Sequence, residues 1–138
     1  PLFLRVDPVG VLLQIATLQA HGYVRSPTSA ARMLLSKRSI ITPEALHAQL
    51  GGESALVMLQ HNWPLWRPAR PQAVRSPMLW LAGEADAVVS VNGLRRSAAY
   101  YGKDFVVIPG AAHNLMHEHN QHDTAQMIHD WLVRQHIS

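Results

Sequence analysis

The chain has 138 residues, 48% of them hydrophobic and 15% charged, enough for one globular domain and incompatible with a disordered or fibrous protein. Twelve Lys and Arg against nine Asp and Glu leave a formal net charge of +3, and the scatter of those basic residues speaks against a nucleic-acid partner. Cysteine is absent, so disulfides, thiolate metal sites and a cysteine nucleophile are excluded, and nine histidines are the unusual chemical resource.

No apolar run approaches the roughly 18 residues that cross a bilayer, and no charged region leading into an apolar leader opens the chain, so a cytoplasmic protein without a membrane span is expected. Val11, Leu12, Ile15 and Leu18 recur at helical spacing and predict a first helix stopped by Gly22. A second helix starts at Ser26-Pro27 and runs to Leu35, and Thr42-Pro43-Glu44 reads as an N-cap with proline at the first helical position. A further helix over Glu53–Gln60 follows a Gly-Gly break. Each of these helices has too few apolar residues to bury itself, so they are expected to lie on another layer. The stretch Trp63-Pro64-Leu65-Trp66-Arg67-Pro68-Ala69-Arg70-Pro71 cannot continue a helix or a central strand, because proline lacks an N–H and biases the preceding residue toward extended geometry. It marks a hinge. Residues 1–71 are expected to form a helical unit that ends in this hinge, and residues 72–138 a second unit.

In that unit Pro77–Ala82 is an apolar run ending at Gly83, and Phe105–Ile108 is another ending at Pro109-Gly110; both predict strands buried on two faces. Val91–Tyr101 between them is helical and closes at Gly102, a suitable C′ residue. A last helix from about Gln121 to Gln135 places Ala125, Ile128, Trp131 and Leu132 on one stripe. The fold class is therefore α/β, with two parallel strands, flanking helices and a preceding helical unit.

Reactive groups in a parallel sheet gather outside the carboxyl ends of the strands. One such exit loop here carries Asp86 and the other His113. Neighbouring strands lie about 4.8 Å apart, so the two side chains can meet. A carboxylate on Nδ1 fixes the imidazole tautomer and turns Nε2 toward a nucleophile. The stretch from Arg75 to Leu132, with Gly83-Glu84-Ala85-Asp86-Ala87-Val88-Val89 and Pro109-Gly110-Ala111-Ala112-His113, resembles the C-terminal end of α/β-hydrolase-fold enzymes. That resemblance implies that Asp86 is the triad acid and His113 the triad base, and that residues 1–71 are the family's helical cap or lid with its Pro/Trp hinge. It further implies hydrolysis of a small or medium apolar ester or related acyl substrate, without a cofactor.

The family's nucleophile elbow, G-x-S-x-G, is missing. Ser54 in Gly52-Glu53-Ser54-Ala55-Leu56 lacks the second glycine and a preceding strand. The early strands and the oxyanion-hole loop are also absent. The expectation is a chain whose nucleophilic serine and sheet partners come from the remainder of a longer hydrolase core, inactive by itself and open to oligomerisation. Trp63, Trp66 and Met116 are candidates for the apolar substrate wall, Trp80 reads as sheet core, and Glu84 reads as a solvated loop carboxylate. Two other readings stay open. One is a noncatalytic binding or assembly module of the same fold. The other is a His-rich metal-binding domain built on His113, His117, His119, His122 and Asp123, although no zinc-type spacing is present and no metal site is expected.

Overall fold

A chain with alternating apolar runs and helical stretches must bury one face of each, and the computed structural model shows how residues 24–51 and 68–136, together with Val9 and Leu12, do so. Among the described residues the protein is α/β, with four α-helices and a two-stranded parallel sheet. Helix α1 (Pro27–Leu34) begins at a reciprocal cap in which Ser26 Oγ accepts from the Ser29 N–H and the Ser26 N–H donates to Ser29 Oγ. Helix α2 (Pro43–Gln49) begins at Thr42, whose hydroxyl accepts from the Ala45 N–H. The two pack together and bury Ala30, Met33 and Leu46. The expected helices ending at Gly22 and spanning Glu53–Gln60 lie outside the described residues, Leu12 apart. Ser54, Trp63 and Trp66 lie outside them too. At the end of the proline-rich stretch, Pro71–Ala73 forms a single 3-10 turn.

Strand β1 (Leu79–Gly83) pairs in parallel with β2 (Asp104–Ile108), from Leu79 opposite Asp104 to Gly83 opposite Ile108. Strand β1 starts two residues later than expected and includes Gly83. Pro77 has no N–H to contribute, and Gly83 remains within the ladder because β2 extends opposite it. Helix α3 (Val91–Tyr101) connects the strands and packs on both. Ser90 caps its start, and Gly102 ends it at φ +61°, the left-handed geometry that glycine adopts without a Cβ penalty.

The strands are less covered than their composition suggests. Ala82, Gly83 and Ile108 are buried, whereas Leu79, Trp80, Leu81, Phe105, Val106 and Val107 are half-buried. Two strands supply too little neighbouring surface to close both faces, and each retains an edge unpaired among the described residues. The 138-residue chain is accordingly expected to sediment as assemblies heavier than its 15.3 kDa monomer. A monodisperse, cooperatively unfolding monomer would contradict that expectation.

Helix α4 (Gln121–Arg134) follows the loop after β2. Its buried stripe differs from the expected one: Ala125 is exposed, while Thr124 and Trp131 are buried with Ile128 half-buried between them. Thr124 can face inward because its hydroxyl donates to the Asn120 carbonyl. The Trp131 indole N–H donates to Asp104 Oδ2 at 2.6 Å, tying α4 to the start of β2. No helix among the described residues is long and apolar enough to cross a membrane.

Candidate functional site

Beyond the strand ends the two exit loops remain joined. The Glu84 N–H donates to the Ile108 carbonyl at 3.1 Å and the Ala85 N–H to the Ala111 carbonyl at 2.8 Å, so strand-like pairing persists into the turns. Gly83 makes this possible: a Cβ there would sit 2.2 Å from the Ala112 oxygen and 2.6 Å from the Ala111 oxygen. Ala111 and Ala112 are buried against it. Glu84, read as a solvated loop carboxylate without a role, is exposed and also accepts the Gly110 N–H at 2.8 Å. Its side chain thereby reaches across to the opposite loop, where Gly110 has φ +66°.

The joined loops bring Asp86 and His113 together. Asp86 Oδ2 lies 3.0 Å from His113 Nδ1, across 27 residues of sequence. The other carboxylate oxygen, Oδ1, accepts the Val88 N–H at 2.7 Å and the Val89 N–H at 3.0 Å, which fixes the plane of the carboxylate. Facing an ionised acceptor, Nδ1 is the nitrogen that carries hydrogen. Nε2 is then the ring nitrogen left to accept a proton, and it has no hydrogen-bond partner among the described residues. The Asp86 side chain is 6% exposed and that of His113 36%, so the carboxylate is sequestered and the imidazole reaches the surface.

Burial pushes the Asp86 carboxyl up, but the hydrogen bond from His113, the Val89 and Val88 N–H groups and the imidazole's charge outweigh it. The net effect holds Asp86 below the usual carboxylate range. A lowered folded-state value means that the unfolded chain binds this proton more readily. The stability contributed by Asp86 is therefore whole above roughly pH 4, and is lost as pH falls through the group's own lower value. Denaturation midpoints measured down that range should fall more steeply for the parent sequence than for Asp86→Asn.

Met116 lies on a 3-10 turn (Leu115–His117) in the His113 loop and is 63% exposed. The metal-binding alternative finds no geometric support here, since no three His, Asp or Glu side chains among the described residues come together as ligands. An open groove of about 970 Å³ lies away from the Asp86–His113 pair, lined by Trp80, Arg96, Tyr100 and Tyr101 among others. Trp80, expected in the sheet core, is half-buried on this groove, with its ring stacked on Tyr101 at 6.1 Å between centroids.

A feature that the sequence did not signal is Glu118, wholly buried five residues after His113 and bonded to Ser36. A lone glutamate in a polar, His-rich loop offers no pattern to distinguish it, and its partner is 82 residues away. Searches against protein-family models, curated proteins and solved structures return no match to this chain.

Proposed function

We propose that this chain forms the helical cap and C-terminal part of an α/β-hydrolase-type serine hydrolase, whose nucleophilic serine and oxyanion donors are supplied by residues outside it. The observation that supports the reading best is the 3.0 Å contact between Asp86 Oδ2 and His113 Nδ1 at the carboxyl ends of adjacent parallel strands. The substrate is a small or medium apolar carboxylic ester or related acyl compound.

In this mechanism the serine Oγ attacks the ester carbonyl carbon as His113 Nε2 takes the hydroxyl proton. Asp86 holds the ring and stabilises the imidazolium. Collapse of the tetrahedral intermediate breaks the bond to the alcohol, which leaves with the proton from Nε2. Water then attacks the acyl-enzyme, gives a proton to Nε2, and the serine regains it as the carboxylic acid departs.

A fluorophosphonate probe tests the assignment. The longer protein that contains this sequence should be labelled on a serine and should hydrolyse a short acyl ester, while the 138-residue chain alone should give background hydrolysis and no specific labelling. A robust rate in the isolated chain that Ser54→Ala abolishes overturns the reading. A longer protein that is neither labelled nor active points instead to a noncatalytic module.

A further inference from the structure

Helices α1 and α2 are joined by residues 35–42, and part of this connection lies directly across the loop that carries His113. The Asn114 N–H, next to His113, donates to the Leu34 carbonyl at 3.0 Å. The Ile40 N–H and the Ser39 hydroxyl both donate to the His117 carbonyl, at 2.9 and 2.8 Å. Those three bonds end on main-chain carbonyls. The fourth attachment is different, because Glu118 supplies a side-chain carboxylate at 0% exposure. Oε1 accepts the Ser36 N–H at 2.9 Å and Oε2 accepts the Ser36 hydroxyl.

A carboxylate withdrawn from water is costly unless its oxygens are engaged, so it enforces the arrangement that supplies its donors. Here both donors belong to one residue of the helical layer. The Glu118 backbone is fixed as well, since its N–H donates to the Leu115 carbonyl and its own carbonyl accepts the Gln121 N–H at the start of α4. The carboxylate thus holds one end of the His113 loop in register with residues 34–40.

We propose that Glu118 is a positioning residue, whose grip on Ser36 seats segment 34–40 of the helical layer on residues 114–118 and thereby keeps His113 aligned with Asp86. The consequence for turnover rests on the hydrolase reading, whereas the anchoring does not.

Hydrogen–deuterium exchange read by mass spectrometry on the full chain tests the anchoring, with the Ile40 and Asn114 amides as reporters and β2 as the internal control. Glu118→Ala should accelerate both reporters by about tenfold or more, the factor expected for losing one strong charge-assisted contact, and leave β2 unchanged. Ser36→Ala should do the same to a smaller degree. Glu118→Gln should largely restore protection, because a carboxamide can accept the Ser36 N–H through oxygen and donate to the hydroxyl through nitrogen. If Glu118→Ala also accelerates β2, global unfolding obscures it and Ser36→Ala decides. Reporters unchanged in Ser36→Ala then overturn the proposal, as do reporters unchanged in a folded Glu118→Ala chain.

Positioning has its own readout. The pH profile for carbethoxylation of His113 by diethyl pyrocarbonate, with exposed His129 as reference, should move in Glu118→Ala toward the profile of Asp86→Asn. Faster reporters with an unmoved His113 profile would leave Glu118 merely structural and overturn the positioning role. Absence of hydrolase activity in the longer protein would sink the proposed function while leaving both of these measurements to judge Glu118.

Discussion

Under the proposed serine-hydrolase reading, replacing His113 by alanine should lower kcat by about 10⁴-fold or more, since the serine would lose both the acceptor of its proton and the donor to the leaving alcohol. Asp86→Asn should cost on the order of 10⁴ in kcat for a more specific reason. One carboxylate oxygen is already committed to the Val88 and Val89 N–H groups. An asparagine that keeps its oxygen there must point its NH₂ at His113 Nδ1, which imposes the opposite tautomer and places hydrogen on Nε2. Reversing the amide would spare the tautomer but set two N–H donors against the NH₂. Substrate binding should survive better than turnover in both variants, so steady-state kinetics should show kcat falling much more than KM rises. Replacing His117, His119 and His122 together should leave the rate largely intact. A dead triple variant beside an active His113→Ala protein would remove the Asp86–His113 pair from the mechanism.

Gly83→Ala carries the largest structural effect. The added methyl would lie 2.2 Å from the Ala112 oxygen and 2.6 Å from the Ala111 oxygen. Both are main-chain atoms in a buried stretch, so no flexible side-chain end can move aside. The loops must part, breaking the Ala85–Ala111 hydrogen bond and pulling Asp86 from His113. Overpacking of this kind costs about 1–3 kcal/mol and occasionally more, which lowers the melting temperature by on the order of 10 °C. Gly51→Ala is the control, because a Cβ there meets nothing within 4 Å, and its melting temperature should hardly change. If the two variants melt together, the close approach at Gly83 is not what joins the loops.

The parts of the fold legible in the sequence were those governed by local chemistry. Thr42 and Gly102 announce helix ends because a side-chain acceptor and a left-handed backbone suit those positions whatever surrounds them. The βαβ order was legible because its apolar runs stop at glycine and proline. Asp86 and His113 were legible as partners because adjacent parallel strands deliver their exit loops to one place. Other features depend on contacts that periodicity does not encode. Thr124 replaces Ala125 in the buried stripe because its hydroxyl can be satisfied within its own turn. Glu84 is exposed, as a solvated carboxylate would be, and its bond to the Gly110 N–H depends on a loop 26 residues away. Glu118 acquires its meaning from Ser36, far away in the chain. Of the proposed substrate wall, Met116 is seen to be exposed, and Trp63 and Trp66 fall outside the described residues.

The attachment between segment 34–40 and the His113 loop also bears on the order in which the chain acquires its structure. Bringing Asp86 to His113 closes 27 residues, whereas bringing Ser36 to Glu118 closes 82. For a flexible chain, the longer closure costs about 1 kcal/mol more in entropy. It also needs the 3-10 turn at Leu115–His117 already formed, since Glu118 is held by that turn. The strand–helix–strand unit should therefore condense first and present a finished landing place, with α1 and α2 arriving afterwards. Unfolding should run in reverse. Under mild denaturant the amides of Ile40 and Asn114 should open together, in a step that leaves β1 and β2 paired.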